Sequence, residues 1–258
     1  MNCTKTFPSV SVVIPAFNAK NCLKRAVASV SCQDYQGEID MIIVNDCSTD
    51  NTAEIAEELA KSCNNIKVIN LTKNLGVAAA RNCGIESCRG EFVAFLDCDD
   101  AWTVDKLSKQ MTLQIETGAD LVYCSYMLID DESRRPIGEY TVPNHVDFKS
   151  MLRENYIGCS AVLMRRDAAE AHPFDGAFYH EDYAMWLTLL KDGCSFYGCP
   201  ECLMLYTVSK NSRSGKKLRS AYNRLLIYRK MLGFSLAKSF CCMASYAFSG
   251  IKKHLFHK

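Results

Sequence analysis

The chain has 258 residues, 48% of them hydrophobic, which suits one large domain or two small ones with a substantial core. It holds no run of about 20 uninterrupted apolar residues, and Met1 to Ser9 is polar, so neither a transmembrane helix nor a signal peptide is expected. The net charge of +1 hides a division: residues 1–201 carry 18 Lys/Arg and all 29 Asp/Glu, whereas residues 202–258 carry 12 Lys/Arg and no acid.

Ser9 to Ile14 reads as a first strand, ended by Pro15. Ala19 to Gln33 has helical spacing, with Leu23, Ala26, Val27 and Val30 on one face. Asp40 to Val44 is a second buried strand. A turn-rich loop, Asp46 to Thr52, leads into a helix running to Ser62, with Thr52 or Ser48 as its cap. Ile66 to Asn70 is a third strand, Gly76 to Glu86 an Ala-rich helix, and Phe92 to Leu96 a fourth strand, apolar throughout. Alternation of this kind means a mostly parallel sheet covered by helices, with ligands at the carboxyl ends of the strands. Three polar clusters fall there: Pro15 to Asn18, Asn45 to Asp50, and Asp97 to Asp100.

The second half is less regular. Helices are expected over Asp105 to Thr117, near Ser150, and over Glu181 to Lys191. Strands are expected over Asp120 to Tyr126, Gly158 to Met164 and Leu203 to Lys210, with a loop or hairpin over Pro136 to Phe148. Past a basic loop, Lys210 to Lys217, the spacing of Tyr222, Leu225, Leu226, Arg229 and Leu232 predicts an amphipathic helix.

Three carboxylates, Asp97, Asp99 and Asp100, follow the fourth strand within four positions. Such crowding is costly without a nearby cation, and hard oxygen ligands suit Mg²⁺ or Mn²⁺. The residues alone fit a solvated acidic turn equally well. The 15 cysteines are odd in number, and Cys199-Pro-Glu-Cys202 has no second pair to complete a zinc site. They read as reduced, small hydrophobic residues of a cytosolic protein.

Four segments, in order, resemble glycosyltransferase family 2, the inverting enzymes of GT-A fold. They are Val10-Ser-Val-Val-Ile-Pro-Ala-Phe-Asn18, Ile43-Val-Asn-Asp-Cys-Ser-Thr-Asp-Asn-Thr52, Asn74-Leu-Gly-Val-Ala-Ala-Ala-Arg-Asn-Cys-Gly84, and Phe95-Leu-Asp-Cys-Asp-Asp100. The resemblance spans about residues 9–210. It implies a Rossmann-like α/β fold, with a nucleotide-binding half over about 9–100, an acceptor half over about 101–210, and a basic extension over 211–258. It also implies that Pro15, Ala16, Asn18, Asp46, Arg81 and Asp97 contact a nucleotide-sugar donor. Asp46 would accept from a uracil imide, with helix capping as its competing role. The family pattern has Asp-Gly where this chain has Asp46-Cys47. Asp99 would hold Mn²⁺ or Mg²⁺ against the diphosphate. Asp100 would support the site or cap the next helix.

His180-Glu-Asp182 resembles the family's E-D motif. Inverting transfer needs a carboxylate to deprotonate the acceptor hydroxyl; Asp182 is the expected base and Glu181 the second choice. Trp186, one turn on, suits either a sugar platform or the core.

The all-cationic tail suits an anionic membrane surface at the cytoplasmic face and an acceptor on a lipid diphosphate; the competing role is packing on the catalytic domain. The motif Q-x-x-R-W is absent, so transfer of a single sugar is expected over processive polymerisation. A haloacid dehalogenase-type phosphatase also places D-x-D after an apolar strand, but on its first strand. A basic-tailed nucleic-acid binder is disfavoured by the acidic first domain.

Overall fold

A computed structural model describes residues 7–209 and 217–256. The first hundred residues form β1 (Val10–Ala16), α1 (Leu23–Ser31), β2 (Ile39–Asn45), α2 (Thr52–Ser62), β3 (Ile66–Asn70), α3 (Val77–Glu86) and β4 (Phe92–Phe95). The four strands are parallel in the order β3-β2-β1-β4. The apolar runs of β1 (Val12–Ile14), β2 (Met41–Val44) and β4 have a simple cause: alternate side chains feed two cores. Val12, Ile14, Met41, Ile43 and Ala94 pack on one face with α1, and Val13, Ile42, Val44, Val93 and Phe95 on the other with α3. Helix α3 lies close on β1 because Gly84 faces Val13; a Cβ at Gly84 would collide with the Val13 side chain.

The chain continues through β5 (Ala101–Trp102), α4 (Lys106–Thr117), β6 (Leu121–Asp130), β7 (Pro136–Tyr140), α5 (Phe148–Arg153), β8 (Val162–Arg165), α6 (Arg166–Ala171), α7 (Glu181–Lys191) and β9 (Phe196–Val208). The sheet extends as β4-β8-β6-β9-β5, with β7 on β6 as a hairpin. Strand β8 runs antiparallel to both β4 and β6, so the sheet changes from all-parallel to mixed at β4. Most of the expected elements are present. The first strand continues through Pro15 to Ala16, α1 begins at Leu23 after a turn from Ala19, and α6 was not expected.

Neither expected cap of α2 acts as one. Its N-cap is Asn51, without a side-chain bond. The Thr52 hydroxyl donates to Asp50 and accepts from Ala19 N (2.7 Å), and Ser48 Oγ accepts from Asn18 N (3.0 Å). Both residues join the loop after β2 to the one after β1.

Of the expected basic loop over Lys210 to Lys217, residues 210–216 lie outside the described residues and Lys217 already belongs to a helix. Beyond it come α8 (Lys217–Leu226), a π-helical turn (Ile227–Met231) and α9 (Leu236–Phe256). The start of this extension packs back onto the domain: Ile227 and Tyr228 are fully buried and Arg224 nearly so. Its outward side exposes Tyr222, Leu236 and Phe240. Among the described residues, no helix is long and apolar enough to cross a membrane, and every cysteine is a free thiol.

Candidate active site

The polar clusters meet at the carboxyl ends of β1, β2 and β4. After β1, Asn18 adopts a left-handed conformation (φ 50°), and its Oδ1 accepts from Thr49 N (2.9 Å) and Thr49 Oγ1 (3.2 Å). Pro15 is half-buried and Asn18 exposed, while the Ala16 side chain sits in the core and its carbonyl accepts from Asp46 N (2.8 Å).

Asp46 is 3% exposed and does not cap α2. Its carboxylate accepts from Leu75 N (2.7 Å) and Gly76 N (2.8 Å), and its carbonyl accepts from Asn74 Nδ2 (3.2 Å). The N-x-G segment therefore wraps the end of β2, and Gly76 (φ 86°) supplies the turn into α3. Cys47, standing where the family has glycine, takes the left-handed conformation such a glycine would favour (φ 55°).

Arg81 is 2% exposed, so it is no surface ion-pair residue. Its Nη2 lies 2.6 Å from Asp97 Oδ1 and its Nη1 2.7 Å from Glu181 Oε1, with the guanidinium over the Phe174 ring at 5.2 Å. Burial alone would pull its pKa down; Asp97 and Glu181 reverse that and hold it well above the ordinary value. The next residue, Asn82, clamps the backbone of Phe174: Nδ2 donates to the carbonyl (2.8 Å) and Oδ1 accepts from the amide (2.9 Å). The Arg-Asn pair on α3 thus fastens the D-x-D segment and the loop before α7 to one helix.

The three aspartates have separate surroundings. Asp97 donates its N–H to Ser160 Oγ (3.0 Å), and its side chain remains 36% exposed. Asp99 is exposed, with its carbonyl accepting from Arg25 Nη2 (2.5 Å) and from the Thr207 hydroxyl. Protein packed around the base of its side chain, and then the charge of Asp97, push its carboxyl up to about 6. Asp100 is 2% exposed and accepts from Thr207 N (2.9 Å). Burial, then Asp99 and Asp97, push its carboxyl well up. It supports the site rather than capping α4, whose N-cap is Asp105. Ser160, Thr207 and Arg25 were not singled out in the sequence.

This donor set fits a hard divalent cation. Asp99 presents carboxylate oxygen beside two further aspartates whose mutual repulsion a cation relieves. Among the described residues, no three His, Cys, Asp or Glu side chains cluster to hold a metal; a cation at Asp99 would need further ligands from substrate phosphate or water.

At the other rim, α7 begins with Glu181 and Asp182 after N-cap His180. Glu181 is 2% exposed and held by Arg81; Asp182 is half-buried, and its Oδ1 accepts from Tyr183 N (2.7 Å). Trp186 is fully buried, edge-on to Phe174, and so belongs to the core rather than to a sugar platform.

Residues 11–172 match the family model described as Glycosyl transferase family 2. The chain belongs to glycosyl transferase family 2. It is 34% identical over 249 residues to TuaG of Bacillus subtilis, named for teichuronic acid biosynthesis, covering 96% of this chain and 98% of TuaG. It is 30% identical to WfgD of Escherichia coli, a UDP-Glc:α-D-GlcNAc-diphosphoundecaprenol β-1,3-glucosyltransferase, covering 96% of this chain and 95% of WfgD. Among solved structures, S. aureus TarS 1–349 in complex with UDP-GlcNAc superposes with a TM-score of 0.74 at 19% identity, over 93% of this chain and 71% of that one. The mannosyltransferase PcManGT from Pyrobaculum calidifontis, in complex with GDP-Man and Mn²⁺, gives 0.71 at 16% identity, over 98% and 77%. These likenesses show the GT-A fold. Membership of the family sets aside the phosphatase and the non-enzymatic binder.

Proposed function

We propose that this glycosyltransferase moves one sugar, with inversion, from a UDP-sugar to a glycan acceptor on a lipid diphosphate during assembly of a bacterial surface polysaccharide. The observation that carries the reading is the Asp97–Arg81–Glu181 bridge, which ties the D-x-D segment to the start of the helix bearing Asp182. Donor machinery and a candidate base thereby share one wall. The UDP and UDP-GlcNAc complexes of TarS and the names of TuaG and WfgD support the substrate classes.

Asp46 accepts from the uracil imide; each of its oxygens has a lone pair beyond the one engaged by Leu75 or Gly76. Pro15 and Asn18 border the base, and Ala16 contributes backbone. Asp97 uses one oxygen for Arg81 and meets the ribose with its exposed side. Arg81 holds these carboxylates in place instead of touching the nucleotide. Asp99 would hold Mg²⁺ or Mn²⁺, which supplies positive charge against the diphosphate. Asp182 accepts the acceptor hydroxyl's proton as that oxygen bonds to the anomeric carbon. The bond from that carbon to phosphate breaks, and its electron pair leaves with UDP. Glu181, buried and paired, orients Arg81.

The enzyme works at the cytoplasmic face of the membrane. Support comes from the 12 cations and absent carboxylates of residues 202–258, with Leu236 and Phe240 exposed one turn apart on α9.

The test uses a panel of UDP-sugars with Mn²⁺ and an N-acetylglucosaminyl diphosphate on a short alkyl chain. Asp182→Asn should bind UDP like wild type and lose about 10²-fold or more in transfer. An unimpaired Asp182→Asn beside an inactive Glu181→Gln would move the base to Glu181. Asp99→Asn, or wild type in EDTA, should lose turnover; full activity in either would remove the metal. A product retaining the donor's anomeric configuration would contradict a single displacement.

A further inference from the structure

Helix α8 grips the E-D motif from both sides. Before the motif, Asn223 Oδ1 accepts from Tyr179 N (3.0 Å), and the Arg219 guanidinium covers the Tyr179 ring at 4.2 Å. Behind it, the Arg224 guanidinium covers the Tyr183 ring at 4.2 Å, and its Nη1 donates to Tyr183 Oη (2.9 Å) and Tyr228 Oη (3.2 Å). Tyr183 Oη donates to Met151 O (2.8 Å) and Tyr228 Oη to Leu152 O (2.7 Å), so α5 anchors the cluster. Tyr246 of α9 closes the other face of Arg224, its ring 3.8 Å from the guanidinium. Asn223 and Arg224 are both 7% exposed.

Only His180, Glu181 and Asp182 lie between the two gripped residues. Tyr183, the residue stacked on Arg224, also donates its backbone N–H to Asp182 Oδ1 (2.7 Å). A shift of the Tyr183 backbone therefore turns the carboxylate, and a slackened Tyr179 frees the turn that enters α7. Cation-π stacking combined with directed hydrogen bonds resists both movements. Displacements of about an ångström at a reacting group cost on the order of 10²-fold in rate.

We propose that Asn223 and Arg224 are positioning residues for transfer: the C-terminal extension sets the aim of Asp182, and α8 is part of the catalytic apparatus as well as a basic appendage. This rests on the reading of Asp182 as base.

The experiment compares Asn223→Leu, Asn223→Asp, Arg224→Met and Asp182→Asn in the full chain. UDP binding counts competent sites, and turnover is measured with whichever UDP-sugar of the panel wild type uses. Asn223→Leu and Arg224→Met should bind UDP and keep the donor KM within about twofold, while kcat per UDP-binding site falls roughly tenfold to a hundredfold. The acid limb of their pH–rate profiles should shift, because the base sits in altered surroundings. Asn223→Asp keeps an acceptor for Tyr179 N and should recover most of the lost kcat. A merely structural role would lower the number of competent sites and leave kcat per site and the pH profile unchanged; that result overturns the proposal. If Arg224→Met does not fold, the Asn223 pair decides alone. Loss of transfer in Asp182→Asn with wild-type kcat in both tail variants sinks the positioning role and spares the base; wild-type transfer in Asp182→Asn sinks both.

Discussion

Two guanidiniums are buried beside α7, and they are kept there by different means. Arg81 stands between two carboxylates, each within 2.7 Å. Arg224 has no carboxylate at ion-pair distance among the described residues; phenol oxygens, a carbonyl and two tyrosine rings surround it. The first arrangement neutralises charge in the acidic half of the chain. The second places a cation from the acid-free tail where no anion is needed. A count of charges along the chain therefore says little about where a charge goes: the tail's basic character reads as a surface property, yet one of its arginines is core.

The comparison predicts unequal costs. Arg81→Met removes the cation paired with the buried Glu181 carboxylate, and breaking such a pair costs about 3–5 kcal/mol. Thermal unfolding of this variant should show the largest loss of the series. Lys106 provides a third case: it is fully buried over the Trp102 ring (3.9 Å), its Nζ donates to Gln110 Oε1 (2.6 Å), and burial lowers its pKa to about 8. It still carries its proton at pH 7, at a cost. Lys106→Met should therefore stabilise the fold at pH 7, by roughly 1–3 kcal/mol.

The sign can be checked with pH. An unfolded lysine titrates near 10.4 and the folded one near 8, so between these values the unfolded chain binds more protons. Wild-type stability falls from this group as pH drops from about 10.4 to 8 and changes no further below. The advantage of Lys106→Met should be full at pH 7 and largely gone near pH 10; equal melting differences at both would contradict the assignment.

The smallest effect belongs to Arg224→Met, about 1–2 kcal/mol, because no anion is orphaned and both tyrosine hydroxyls keep carbonyl partners. A larger loss than that of Arg81→Met would break the comparison.

Much of the first half was legible because its strands repeat one signal. Residues from β1, β2 and β4 must satisfy two cores at once, which favours consecutive apolar residues. Strand β9 was placed seven residues late because Pro200 and Glu201 interrupt the pattern; the pairing with β6 absorbs them through a register shift at Cys124 to Tyr126. Helix α6 has six residues, too few for a period to show. At the site, the motif resemblance brought out Asp46, Arg81, Asp97, Asp99 and the E-D pair. It did not reveal that Arg81 is inward and doubly paired, since Glu181 is 100 residues away. Ser160 accepts from the Asp97 amide and the Thr207 hydroxyl donates to the Asp99 carbonyl, 63 and 108 positions distant, and such bonds to backbone groups leave no mark on residue type.

Those separations bear on how the molecule is made. When residues 9–100 leave the ribosome they contain every strand of the parallel half, but Arg81 lacks Glu181 and Asp100 lacks Thr207. Glu181 follows residue 100 by 81 positions and Thr207 by 107, so these partners arrive only with the second half of the chain. Residues 9–100 thus draw two of their buried side-chain contacts from the second half. Their last contacts wait for the segment that also carries the proposed base, so a nascent chain cut short of α7 holds an unfinished candidate site.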